Sequence, residues 1–101
     1  MADGVLGMIG LAKRAGAVYA GDEPSAVACR TGAAKLIVLA SDAGDSTARR
    51  AKANAAQAKI PVLTVNAGKE ELGAAVGRGA TAVLAVANAG LAAAIQAKMT
   101  V

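Results

Sequence analysis

Residues 32–42 read "GAAKLIVLASD". Within them, Lys35 to Ala40 form a β-rich apolar run without the polar alternation of a half-solvated strand. A run of this kind is expected of a strand covered on both faces. Upstream, "YAGDEPSAVACRT" (residues 19–31) sets a glycine, two acids and a proline before an alanine-rich helix expected over residues 24–31. Pro24 suits a first helical position, and a residue before proline avoids the α region, so Glu23 is expected as N-cap. A capping carboxylate there would occupy the amides that otherwise attract a phosphate. Downstream, residues 41–45 are a loop, and Asp45 or Ser46 is expected to cap a helix ending near residue 58.

The same punctuation extends to both ends of the chain. Val5, Leu6, Met8, Ile9 and Ala12 recur at helical spacing, and Lys13, Arg14 and then Gly16 close that helix. Gly4, Gly7 and Gly10 lie inside it at every third position. Each costs roughly 1 kcal/mol against alanine, so close packing on another element is expected. Residues 17–20 form a short strand candidate, "IPVLTV" (60–65) and "TAVLAV" (81–86) two more, and residues 69–77 and 90–98 two further helices. The order α-β-α-β-α-β-α-β-α with buried strands predicts the α/β class: a three-layer α-β-α sandwich around a four-stranded mixed sheet. At 101 residues without a linker or repeat, one domain is expected.

Composition narrows the function. Hydrophobic residues make up 55% of the chain, yet Tyr19 is the one aromatic, so the core is built from Ala, Val, Leu and Ile and helices must approach the sheet closely. Base stacking on an aromatic sheet surface is therefore not expected. The net charge of +4 suits an anionic partner: RNA, DNA or a membrane surface. The absence of histidine excludes a His/Cys zinc site and histidine-dependent triads. Cys29 has no partner for an internal disulfide, in keeping with a reducing cytoplasm, and Asp3 and Gly4 do not resemble a secretory n-region. No apolar stretch is long enough to span a membrane.

Chemistry separates the candidate sites. Gly68-Lys69 has Leu63 where a Walker loop needs glycine, and Gly77-Arg78-Gly79 lacks the third glycine of a dinucleotide fingerprint; both read as turns. Cys29 among alanines reads as a small buried hydrophobe. Ser41-Asp42 closes a buried strand, where ligands bind and where turns are also capped. Arg49, Arg50 and Lys52 read as a solvated helix face. Lys13 and Arg14 stand one short strand before Gly21, Asp22 and Glu23, so phosphate-holding cations and a helix start are close in sequence. Acid–base catalysis would rest on Asp42 and Lys35 alone, so no enzyme is expected and no cofactor is implied.

"GLAKRAGAVYAGDEPSAVACRTGAAKLIVLASDA", "KIPVLTV", "KEELGAAVGRG" and "TAVLAVANAG" together resemble the kink-turn-binding ribosomal protein superfamily, in its short bacterial branch. The likeness covers about residues 3–97, and the pattern Gly32-Ala33-Ala34-Lys35-Leu36 to Ser41-Asp42, then Glu71-Leu72-Gly73 to Gly77, carries it. The resemblance implies an α-β-α sandwich. It also implies a structured RNA partner, with the start of the second helix reading guanines of sheared G·A pairs and the loop before the last strand packing on extruded bases. In the family's Gly-x-Asn-Glu-x-x-Lys pattern, Gly21 matches the glycine. Glu23, Pro24 and Val27 then fall at the other three places; a slip of one residue puts Asp22 and Glu23 at the Asn and Glu, with Ala26 at the lysine. In both registers the lysine is absent, which implies weaker binding or altered preference, with Arg30 one turn beyond Val27 as a partial substitute. The implied RNA surface comprises Lys13, Arg14, Gly21, Asp22, Glu23, Val27, Arg30, Lys35, Asp42, Arg78, Gly79, Ala80, Thr81 and Ala82. A ribosome-associated role follows from the resemblance, and a protein-interaction module of the same fold is the alternative.

Overall fold

The computed structural model describes residues 2–99. Its elements are α1 (Ala2–Arg14), β1 (Val18–Ala20), α2 (Asp22–Arg30), β2 (Leu36–Leu39), α3 (Asp45–Ala58), β3 (Val62–Thr64), α4 (Lys69–Ala75), β4 (Val83–Val86) and α5 (Ala89–Met99). The alternation expected from the sequence is present throughout. The sheet runs β1-β4-β2-β3. β4 is antiparallel to both β1 and β2, while β2 and β3 are parallel, so the sheet is mixed.

The apolar run at residues 35–40 is central because both of its faces are covered. Leu36, Val38 and Ala40 pack with Val5 and Ile9 of α1, Leu72 of α4 and Ile95 of α5. Ile37 and Leu39 turn the other way, against Ala28 and Cys29 of α2 and Ala51 and Ala55 of α3. This gives three layers. Burial of each large aliphatic side chain contributes about 1.5–3 kcal/mol. Alanines at the contacts let α2 and α3 lie close to the strands without aromatic filler.

Three features differ from expectation for local reasons. The third strand is shorter than residues 60–65, because Lys59 adopts a left-handed conformation (φ 60°) and the Ile60 N–H closes α3 by donating to the Ala55 carbonyl at 3.0 Å. Neither Asp45 nor Ser46 caps α3; Gly44 is the N-cap, no side chain caps it, and Asp45 lies in the first turn, where its charge favours the helix dipole. Close packing accounts for one glycine of the α1 series more than the others: a Cβ on Gly10 would stand 3.2 Å from the Ala75 carbonyl, whereas Gly7 faces open space.

The registers define two ends. β1, β2 and β3 finish, and β4 begins, at what we term the upper edge; α2, α3 and α4 also start there. The lower edge holds the starts of β1, β2 and β3 and the C-termini of α1, α2 and α3. A four-residue strand separates them by about 13 Å.

Candidate functional site

The upper edge is organised by Gly21. Its N–H donates to the Val83 carbonyl at 2.9 Å, extending the β1–β4 pairing by one residue. Its backbone then takes φ 106°, ψ 168°, a region that only glycine enters without strain. The chain turns directly into α2 at Asp22, two residues before the proline. The expected N-cap is thereby corrected: Gly21 is the cap, no side chain caps α2, and Pro24 is the third helical residue. Proline is tolerated there because the first amides of a helix have no intrahelical acceptor. Buried Ser25 ties the first turn by donating its hydroxyl to the Asp22 carbonyl at 3.0 Å.

Freed from capping, both acids pair with arginines. Arg50 of α3 donates to Asp22 Oδ2 at 2.9 Å, and its Nη2 lies 3.4 Å from Thr47 Oγ1. Arg30 Nη2 lies 3.7 Å from Glu23 Oε2. Exposed pairs of this kind add only about 0–1 kcal/mol to stability. Their consequence is local charge balance at the corner. The Arg30–Glu23 pair spans the turn that carries exposed Val27, so a cation reaches back along α2 although Val27 itself has none. Between α2 and α3 is a cavity of about 100 Å³ beside Asp22, Glu23, Ser25, Arg50 and Asn54. Asn54 also borders a groove of about 400 Å³ further along the two helices, with Cys29, Arg30 and Gln57. Cys29 is buried in the α2–α3 layer, and that burial pushes its thiol pKa up, so it stays protonated.

Asp42 works at the same edge by another route. Its Oδ1 accepts the Lys69 N–H at 2.8 Å, so the end of β2 caps α4 across space. Glu71 Oε1 accepts the Gly68 N–H at 3.0 Å and completes that cap. The loop before β4 is pinned by the Arg78 N–H donating to the Gly73 carbonyl (2.8 Å) and the Thr81 N–H donating to the Lys69 carbonyl (2.9 Å). Arg78, Gly79 and Ala80 are exposed at its tip, Thr81 is buried and donates its hydroxyl to the Gly79 carbonyl at 3.0 Å, and Ala82 is half-buried. A Cβ on Gly73 would collide with the Gly79 carbonyl, so this loop can sit on α4 only over a glycine.

The upper edge therefore brings together Gly21, Asp22, Glu23, Asp42 and the loop residues Arg78, Gly79, Ala80, Thr81 and Ala82, with Val27 one turn down α2 and Arg30 reaching up to Glu23. It does not bring in Lys13, Arg14 or Lys35. Lys13 and Arg14 end α1 at the lower edge, and Lys35 enters β2 there, its backbone N–H on the Val86 carbonyl at 2.7 Å. Proximity in sequence misled because β1 runs the length of the sheet between them. The sequence reading also left Arg50 as one charge of a solvated face and did not single out Asn54. Their signal was present: each immediately precedes an alanine of the buried α3 seam, Ala51 and Ala55, which sets them along its margin.

Among the described residues, no cluster of three or more His, Cys, Asp or Glu side chains could hold a metal ion, and no helix is long and apolar enough to cross a membrane. A family model for the ribosomal protein L7Ae/L30e/S12e/Gadd45 family matches residues 3–95. The chain belongs to this family. Membership agrees with the superfamily resemblance drawn from the sequence, and the L7Ae/L30e/S12e/Gadd45 family is one of ribosomal-type proteins rather than enzymes. Among its relatives is the RNA-binding protein YlxQ of Bacillus subtilis, 33% identical over 85 residues, which cover 84% of each chain. A Bacillus halodurans protein of unknown function has a solved structure that superposes with a TM-score of 0.89 at 31% identity, covering 96% of this chain and 97% of that one. The Giardia lamblia 15.5 kD RNA-binding protein shares the fold, with a TM-score of 0.76 at 20% identity over 94% of this chain and 83% of that one.

Proposed function

We propose that this L7Ae-family member is a small RNA-binding protein of ribosomal type that takes a structured, kink-turn-like RNA at its upper edge. The observation that carries the reading is the convergence there of the uncapped start of α2 with the loop before β4, the two segments that family resemblance assigns to RNA. The Asp22 and Glu23 carboxylates accept hydrogen bonds, which matches the N1–H and N2–H donors of a guanine edge. Arg50, beside Asp22, offers the forked donors that suit guanine O6 and N7. Arg30 and Arg50 offset the carboxylate charge that would otherwise repel nearby phosphates. The small, exposed loop tip at Gly79 and Ala80 leaves room for an extruded base.

Association with the ribosome, in a bacterial cytoplasm, is part of this proposal; the family's ribosomal members support the first part and the Bacillus subtilis source of a relative the second. The test is a gel-shift titration at moderate salt with a kink-turn RNA and a matched RNA lacking the sheared G·A pairs. Tighter binding to the kink-turn is the expected result. Equal, salt-labile binding to both would remove kink-turn reading, and a protein complex formed without any RNA affinity would favour an interaction module instead.

A further inference from the structure

The lower edge has a charge pattern that the upper-edge reading does not use. Lys13, Arg14, Lys35 and Lys59 are exposed there and form no ion pair among the described residues. By contrast, Asp22, Glu23, Asp42, Asp45, Glu70 and Glu71 all sit at the upper edge, at the end of β2 or in the first turns of α2, α3 and α4. The cations follow the sheet order. Lys13 and Arg14 precede β1, Lys35 is tied to the end of β4 and enters β2, and Lys59 precedes β3. With strands about 4.8 Å apart, the row extends over roughly 15 Å.

Helix dipoles explain only part of this row. They favour Lys13 and Arg14 in the last turn of α1. Lys35 lies on no helix but serves a helix end, its Nζ donating to the Gly32 carbonyl at 3.3 Å just past α2; no such account covers Lys59, since α3 has no basic residue in its last turn. Lys59 follows α3 in a left-handed conformation that glycine adopts most cheaply, yet the chain places a cation there.

We infer that the lower edge is a second nucleic-acid surface, which holds the phosphodiester backbone of a segment flanking the one at the upper corner. It reads no bases: it presents flexible cationic heads, no aromatic and no fixed donor fork. The protein then spans two segments of one RNA. This inference builds on the RNA reading above but uses different residues.

The test combines Lys13→Gln, Arg14→Gln, Lys35→Gln and Lys59→Asn, the last because asparagine tolerates the left-handed backbone. Circular dichroism checks that the variant folds; if it does not, the Lys13→Gln, Arg14→Gln pair at the exposed end of α1 replaces it. Fluorescence anisotropy compares native and variant protein on a minimal kink-turn hairpin, on that hairpin extended by one turn of duplex, and on the duplex alone. Native protein is expected to bind the extended RNA about tenfold tighter than the minimal one. The quadruple variant should lose that gain, keep its hold on the minimal hairpin, and show a log–log salt slope shallower by roughly 2–3. Unchanged gain and slope in the variant would overturn the inference. If native protein ignores the minimal hairpin, the upper-edge reading fails separately; the duplex arm then decides, with weaker variant binding supporting the lower edge and equal binding refuting it.

Discussion

The two edges of the sheet use the same helix-end chemistry in opposite ways. At the upper edge, carboxylates sit in the first turns of α2, α3 and α4, and two of them pair with arginines. At the lower edge, the cations along the starts of the strands form no ion pair among the described residues. Carboxylates near helix N-termini stabilise the fold but compete with phosphate for the same amides. The upper edge is thus suited to directional hydrogen bonding with a base, and the lower edge to undirected attraction of a backbone.

The largest expected effect is on the upper loop. Gly73→Ala forces a methyl into the Gly79 carbonyl and should cost about 3 kcal/mol in urea denaturation, with the β4 approach displaced. A neutral result would mean that the loop is not seated on α4 as described. Gly21→Ala places a side chain in a glycine-only conformation and should cost about 2 kcal/mol. It should also weaken RNA binding more than the exposed helical change Ala93→Gly on α5, away from that edge. Removing the cross-space cap with Asp42→Ala should lower stability by about 1 kcal/mol, read by thermal melting. The lower edge should respond with the opposite sign. Lys59→Gly relieves a left-handed lysine and should raise stability by about 0.5 kcal/mol. Finally, Arg50→Gln should leave stability within about 0.5 kcal/mol, because its pair with Asp22 is exposed, while reducing discrimination between RNAs with and without sheared G·A pairs.

The contrast between edges was only half legible in the sequence. The strand at residues 35–40 declared itself because an unbroken apolar run has one economical placement, and the remaining alternation then fixed three layers. The start of α2 was misplaced because proline and the residue before it are strong local signals, whereas the conformation of Gly21 is set by its pairing with Val83 across the sheet. Asp42 reads locally as a turn residue; its partner, the Lys69 amide, is distant in sequence and adjacent only once β2 and β3 pair. Lys13 and Arg14 looked like neighbours of Gly21 until β1 separated them. Arg50 is on the solvated face the sequence suggests, but its partner Asp22 became visible only once α2 and α3 packed through alanines.

The most direct test of the two-edge account is amide chemical-shift mapping by NMR during titration with a minimal kink-turn RNA. The account predicts that the first and largest shifts fall at Gly21–Val27, at Arg50 and at Arg78–Ala82. Shifts concentrated on α1, α4 and α5, or on the lower edge with the α2 corner silent, would contradict it.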